Sequence, residues 1–361
     1  MKRIIFAVTN DLTYDQRMYK ICTSLAESGF DVTLVGFKKK KSLHLEQRKF
    51  QQKRLGLFFQ SGFLFFAEAN ARLLFYFLFA KVDVLCANDL DTALPVLFAS
   101  IIRNKKRVFD AHELFCEMHD IVRKPKLYNF WKRIEKFCQP KFPLGYTENQ
   151  SYADEYEKMY GVKYFVVMNS PYKTDVERKK AEKENILIYQ GVVERGRGFE
   201  GLLPALKNLD VRLIVCGNGT FYDEVRRRAA ELKVADKIDF EGYILPADLK
   251  ALTKTAKVGL NMNANLGASF YYSLSNRFFD YMHAGIPQIT MNYPENKKIF
   301  EQFEIGVLID DLEPQTICNA ANTLLSDDRL YQRLSQNCMQ AREVYNWQNE
   351  EKKLIAFYKS L

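Results

Sequence analysis

Residues 185–203 read NILIYQGVVERGRGFEGLL. The first six form an apolar run of strand length, and a helical pattern starts at Phe199. Between them lies Gly191-Val-Val-Glu-Arg195-Gly-Arg197-Gly198. Glycines in such a turn let backbone amides approach a ligand. Arg195 and Arg197 supply permanently charged donors that suit phosphate oxygens. A helix N-terminus beside them favours an anion further. The same residues also read as a tight strand-to-helix turn with solvated arginines, and the segment alone does not separate the two.

The pattern around this stretch repeats along the chain. In the first half, apolar runs at 4–9, 31–37, 82–87 and 107–110 read as strands, with helices at 15–28 and 92–102. In the second half, strands at 185–190, 211–216, 237–240, 258–261 and 287–291 alternate with helices at 199–207, 222–232, 246–255 and 276–284. The last part, 314–361, reads as helical. Such alternation specifies parallel sheets with right-handed crossovers. The fold class is α/β, with two Rossmann-like domains at 1–170 and 171–340 and a terminal helical segment at 341–361. Open sheets of this kind bind ligands at the carboxyl ends of their strands. Two such domains are expected to face each other across a cleft.

A chain of 361 residues suits two domains. With 47% hydrophobic and 27% charged residues it is neither disordered, fibrous nor a disulfide scaffold. No run of 18 apolar residues is free of charge, so no spanning helix is expected. The opening MKRIIFAVTN reads as a buried strand after two basic residues rather than a leader. Seven scattered cysteines, none at C-x-x-C spacing, point to free thiols in a reducing cytosol. The formal charge is +9, and residues 38–54 hold eight Lys/Arg against one Glu, a net +7. The rest of the chain is then read as near neutral. This argues against a general nucleic-acid binder and for one localised surface facing an anionic partner.

A second constellation is Tyr272-Ser-Leu-Ser-Asn276-Arg-Phe-Phe-Asp280-Tyr-Met-His-Ala-Gly285-Ile-Pro287. Ser273, Leu274, Ser275 and Asn276 precede a helix, and their backbone N–H groups suit an anionic group. Asp280 lies one turn inside that helix, where a carboxylate can accept hydrogen bonds from ribose hydroxyls. An ordinary capped helix with a surface Asp is the plainer alternative.

The ordered series of these motifs, with Val215-Cys-Gly217-Asn-Gly219 and Phe240-Glu-Gly242, resembles the donor domain of glycosyltransferase family 4. The N-terminal half, with Asp15-x-Arg17, Ala87-Asn-Asp-Leu-Asp91 and Phe109-Asp-Ala-His112-Glu113, resembles acceptor domains of bacterial surface-polysaccharide members. The resemblance spans essentially the whole chain. It implies a retaining GT-B enzyme that moves a hexosyl group from a nucleotide-diphosphate sugar to a lipid-linked or oligosaccharide acceptor. It implies front-face attack assisted by the departing phosphate, and no metal or other cofactor.

Carried over residue by residue, the resemblance places Arg197 on the donor diphosphate, with Arg195 as its second basic partner because Val192 stands at the usual position. Asp280 takes the ribose-contacting carboxylate position. Tyr272 stands where the family has a further Glu on the donor sugar. Gly191, Gly217 and Gly242 border the donor, and Phe240 and Glu241 lie where the base pocket is built. His112 falls near the donor sugar and reacting centre, and its imidazole suits a sugar hydroxyl. Asn10, Asp11 and Arg17 follow the first strand, at the family's acceptor loop. His119 and His283 are read as structural. Asp89 and Asp91 open a helix, which assigns them N-terminal capping charge.

Residues 57–79 are dense in Phe, Leu and Tyr and follow the basic run. Together, 38–79 are expected to dock on an anionic membrane surface, the plainer alternative being one helix packed on the first domain's sheet beside a solvated charged loop; the chain is expected in the cytoplasm, peripheral on the inner face of the plasma membrane. Two other functions fit the same architecture: a nucleotide-sugar 2-epimerase, and a non-catalytic protein that binds nucleotide sugars or membrane surfaces.

Overall fold

The structure, a computed structural model, describes residues 1–174 and 184–361. They form two compact units, one of Met1–Asn169 with Trp347–Leu361 and one of Ser170–Asn346.

The sheet of the first unit contains β1 (Arg3–Ala7), β2 (Asp31–Phe37), β3 (Gln51–Leu55), β4 (Val84–Asn88), β5 (Lys106–Ala111), β6 (Gly145–Thr147) and β7 (Phe165–Val166). All are parallel, in the order β3-β2-β1-β4-β5-β6-β7. Around it lie α1 (Gln16–Glu27), α2 (Gly62–Phe79), α3 (Ala93–Ile102) and α4 (Pro125–Cys138). Asp15 caps α1 by accepting from Met18 N, and Met18, Ile21, Cys22 and Leu25 turn one apolar stripe inward.

The second unit has β8 (Ile186–Gln190), β9 (Arg212–Cys216), β10 (Ile238–Gly242), β11 (Val258–Asn261), β12 (Gln288–Met291) and β13 (Gly306–Ile309), parallel in the order β10-β9-β8-β11-β12-β13. Its β8 shows why the run reads as continuously apolar: Leu187 and Tyr189 enter the core on one face and Ile188 enters that on the other. Helices α5 (Phe199–Ala205), α6 (Asn276–Ala284) and α7 (Asp328–Val344) belong to this unit. The final helix, α8 (Trp347–Ser360), belongs to the first unit, where Trp347 is fully buried and its Nε1 donates to Ser24 Oγ at 2.9 Å.

Several expectations need correction. The basic run is not a single solvated segment, because Gln51–Leu55 forms an edge strand that pairs with β2. Five of its eight cations are engaged within the unit. Lys39, Arg48 and Lys53 lie over the Phe65, Tyr19 and Tyr76 rings, Lys49 pairs with Glu27, and Arg54 Nε donates to Asp11 O at 2.6 Å. Nor is the rest of the chain evenly neutral, since residues 123–141 carry seven Lys/Arg against one Glu. Strands β3, β6 and β7 are too short or too polar to stand out by periodicity, and β13 was missed although it is as long and as apolar as β11. The helical tail resolves into three helices, Pro314–Ser326, α7 and α8. Gly62–Phe79 is long and apolar enough to cross a membrane by length and composition, although it carries Glu68 and Arg72. All seven cysteines are buried and free.

In the second unit the strand ends are level. Gln190 sits opposite Cys216, and Gly242 opposite Cys216 on the other side. The chain turns immediately after, with Gly217 N donating to Gly242 O at 2.6 Å. Gly217 has φ +134°, and a Cβ there would stand 1.9 Å from Gly191 O. The substitution Gly217→Ala is expected to cost at least about 2 kcal/mol through strain and overlap. Thermal unfolding should show this as a fall of roughly 5 °C or more. An unchanged transition would show that this close approach is not needed.

Candidate active site

In the first unit the register brings Ala7, Ala87, Asn88, Asp110, Ala111 and Thr147 to one end of the sheet. The residues that follow form a cavity of about 290 Å³, lined among others by Thr9, Asn10, Arg17, Asp89, Asp91 and His112.

His112 leaves β5 with its backbone N–H on Asp89 Oδ1 at 2.9 Å. Its Nε2 lies 3.2 Å from Glu148 Oε1, and its Nδ1 lies 4.0 Å from Asp89 Oδ2 and 3.9 Å from Glu113 Oε1. Arg17 is 4% exposed and bridges Asp110 Oδ1 at 2.6 Å and Glu148 Oε1 at 3.0 Å. Asn10 Nδ2 donates to Asp15 Oδ2 at 2.6 Å, and Asp11 accepts from Ser42 Oγ at 2.9 Å. Asp11 therefore faces the neighbouring loop.

Burial pulls the His112 imidazole down. The carboxylates of Glu148 and then Asp89 outweigh burial and the opposing charge of Arg17, holding the ring up at about 9. Burial pushes Asp91 up to about 6 even though Thr9 Oγ1 donates to it at 2.5 Å. Burial also lifts Asp89 well above the usual carboxylate range, with His112 opposing and Asp91 and Glu113 adding to the shift. Asp89 does not cap the following turn with its side chain. It adopts φ +61° and holds His112 instead, which corrects the capping assignment. A strained non-glycine residue of this kind persists only where its surroundings fix it.

In the second unit the turn after β8 leads through Gly191, Arg195, Gly196, Arg197 and Gly198 into α5. The Arg195 guanidinium lies 4.6 Å over the Phe221 ring and that of Arg197 4.8 Å over Phe270. The two arginines therefore rest on different aromatic supports. Arg197 Nη1 and Arg277 Nη2 both donate to Asn263 Oδ1 at 3.2 Å. Arg277 is 7% exposed, and its Nη1 also reaches Gln190 O at 3.3 Å. Among the described residues it makes no ion pair.

Ser275 caps α6 by accepting from Phe278 N, and its Oγ donates to Asn261 Oδ1 at 2.6 Å. Asn276 begins α6, following Ser273 and the buried Leu274. Asp280 is set by Gln190, whose Nε2 donates to Asp280 Oδ2 at 2.8 Å while Thr253 Oγ1 holds the Gln190 Oε1 at 2.8 Å. Gly217 and Gly242 sit at the neighbouring strand ends. Tyr272 packs edge-on to Tyr271, with centroids 5.1 Å apart. His283 Nε2 lies 2.7 Å from Tyr345 O.

Glu148, Asn263, Gln190 and Arg277 were not singled out by sequence reasoning. Glu148 follows a three-residue strand that periodicity misses. Arg277 lay inside a quoted motif. Its signal was a cation directly before the apolar pair Phe278-Phe279, both buried.

These two parallel α/β units constitute a GT-B fold. A crystal structure of Anabaena Alr3699/HepE in complex with UDP and glucose superposes with TM-score 0.79 at 15% identity, covering 100% of both chains. Residues 173–340, nearly all of the second unit, match the family model described as "Glycosyl transferases group 1". Spore coat protein SA of Bacillus subtilis is 24% identical over 188 residues, 48% of each chain. D-inositol 3-phosphate glycosyltransferase of Corynebacterium urealyticum is 23% identical over 188 residues, 49% of this chain and 43% of that one. The chain spans about half the length of the curated relatives it matches. The solved structure thus shares the fold of both units, and the family match covers the second.

Because its pKa stands above the ordinary 6.5 of histidine, the His112 charge stabilises the folded state fully below about 6.5 and loses that contribution as pH rises through about 9. NMR titration should find the ring protonated at neutral pH, and Glu148→Gln should move its midpoint down toward 6.5. An unmoved midpoint would remove Glu148 as the source of the shift.

Proposed function

We propose that the protein is a retaining glycosyltransferase that needs no metal and transfers a hexosyl group from a nucleotide-diphosphate sugar to a lipid-linked or oligosaccharide acceptor in polysaccharide biosynthesis. The observation that carries this is Arg277. A buried guanidinium is costly unless an anion compensates it, and the partners of this one are a carbonyl, an amide oxygen and the Tyr189 ring at 4.7 Å, none of them an anion. Arg197 shares that amide, and the α6 N-terminus lies next in the chain. A diphosphate is an anion of the right size and charge for two arginines and a helix end.

The assigned roles follow. Arg197, Arg277 and the α6 amides take up the charge that develops on the departing diphosphate, so the leaving group is stabilised without a metal. Asp280, oriented by Gln190, accepts from ribose hydroxyls. Gly191, Gly217 and Gly242 let the backbone approach the nucleotide. His112, protonated at neutral pH, donates to a hydroxyl of the sugar ring and adds positive charge near the reaction. Asn10 and the Arg17 network shape the acceptor side. Arg17 is held by two carboxylates, so its part is to fix Glu148 rather than to bind an acceptor phosphate. The bond from the anomeric carbon to the diphosphate breaks while that to the acceptor oxygen forms on the same face. The acceptor proton passes to the departing phosphate. The structural neighbour solved in complex with UDP and glucose supports a uridine nucleotide as the first donor to try. Attachment to an anionic membrane at the cytoplasmic side belongs to the same proposal.

A thermal-shift panel of nucleoside diphosphates and their sugars tests this reading. A ligand at about 100 times its Kd adds roughly 2.7 kcal/mol, or roughly 5–11 °C. Arg277→Met should abolish that shift while leaving the unliganded protein as stable as before or more so, since an uncompensated buried charge is removed. Arg197→Ala should also abolish it. If both variants kept a full nucleotide shift, the diphosphate would not bind at this pair.

A further inference from the structure

The first unit presents an apolar face that its own core does not use. Helix α2 is hydrophobic nearly all round, and 22% of its residues are buried. A helix of that composition needs cover on its outer side. Phe65, Ala69, Leu73 and Phe77 face inward, whereas Phe63, Phe75 and Phe79 are 66%, 68% and 73% exposed. Its two charged residues, Glu68 and Arg72, neutralise each other one turn apart.

The face does not end at α2. Phe63 meets Phe130 of α4, centroids 5.7 Å apart, and Phe98 of α3 meets Phe137 of α4 at 6.3 Å. Ile101 and Ile102 at the end of α3 are exposed beside them. Phe75 and Phe79 open instead onto a groove shared with Gln51, Lys53, Leu55 and Phe58, so the surface common to the three helices is that of Phe63, Phe98, Phe130 and Phe137, more than the scattered exposed residues normal for a protein.

Its charge is equally specific. Along α4, Lys126, Phe130, Arg133 and Phe137 recur three or four residues apart, so they form one row on the helix. All four are exposed, and Lys141 lies over the Phe137 ring at 3.9 Å. A row alternating cations and rings suits a surface with an apolar interior and anionic heads. It suits a second copy poorly, since this face would bring like charges together. We propose that the α2–α3–α4 face docks on an anionic lipid bilayer, with the 123–141 segment supplying the cations. This relocates the electrostatic contact from the run at 38–54, where most of the charge is engaged internally. It extends the membrane part of the reading above but does not depend on sugar transfer.

Co-sedimentation of the full chain tests it, using phosphatidylcholine vesicles with and without phosphatidylglycerol. Binding should require phosphatidylglycerol and weaken as salt rises. Lys126→Glu with Arg133→Glu should weaken it by on the order of 30-fold or more. Phe63→Ser with Phe137→Ser should also abolish it, and circular dichroism and the nucleotide thermal shift should be unchanged in both variants. The proposal is overturned if neither vesicle binds or if the charge-reversed protein binds as well as the parent. It is equally overturned if light scattering finds a dimer that Phe63→Ser with Phe137→Ser dissolves. A nucleotide shift that persists without vesicle binding would sink only the docking face; vesicle binding without any nucleotide shift would sink only the sugar-transfer reading.

Discussion

Parallel strand register is the constraint on which both sites depend. In a parallel sheet every strand delivers its carboxyl end to the same edge, so residues distant in sequence meet there without long-range side-chain steering. In the first unit that edge collects Thr9, Asp89, His112 and Glu148 from four different strand exits. In the second it collects Gly191, Gly217 and Gly242, whose backbones meet because Gly217 carries no side chain. Shifting one strand by a residue would invert its burial pattern and scatter its site group as well.

The two edges use opposite electrostatics. The first unit surrounds Arg17 and His112 with carboxylates, so each cation has more than enough negative charge nearby. Burial is what lifts Asp89 and Asp91 above the usual carboxylate range, and at Asp89 the neighbouring carboxylates add to it. The second unit does the reverse. Arg277 is buried between neutral oxygens and the Tyr189 ring, with no carboxylate paired to it among the described residues.

Much of the architecture was legible because buried parallel strands leave continuous apolar runs. The strands 31–37 and 258–261 and the helix 276–284 could be read with their boundaries intact. What escaped were elements that lack that signature: β3, whose sequence QQKRL lies half exposed at an edge, and β6, which has three residues. Missing β6 hid Glu148, the group that most strongly raises His112. In the second unit Arg197, Asp280 and the glycines were singled out through a motif, whereas Gln190 and Asn263, which contact them, were not. Their roles are to orient other side chains, and an orienting amide has no spacing rule. The basic run misled because sequence counts charges without showing which are already engaged.

The final helix carries a consequence for how the molecule is made. Trp347, Leu354 and Tyr358 are completely buried in the first unit, and Tyr358 packs against Phe6 of the very first strand. A ribosome therefore releases the second unit whole before the first has all of its core. Domains usually fold in the order of their synthesis; here the order is reversed at the last step. Until residue 358 emerges, the apolar surface around Phe6, Phe30 and Tyr146 stays uncovered. Nascent chains stalled or truncated shortly before that point would be natural clients for chaperones.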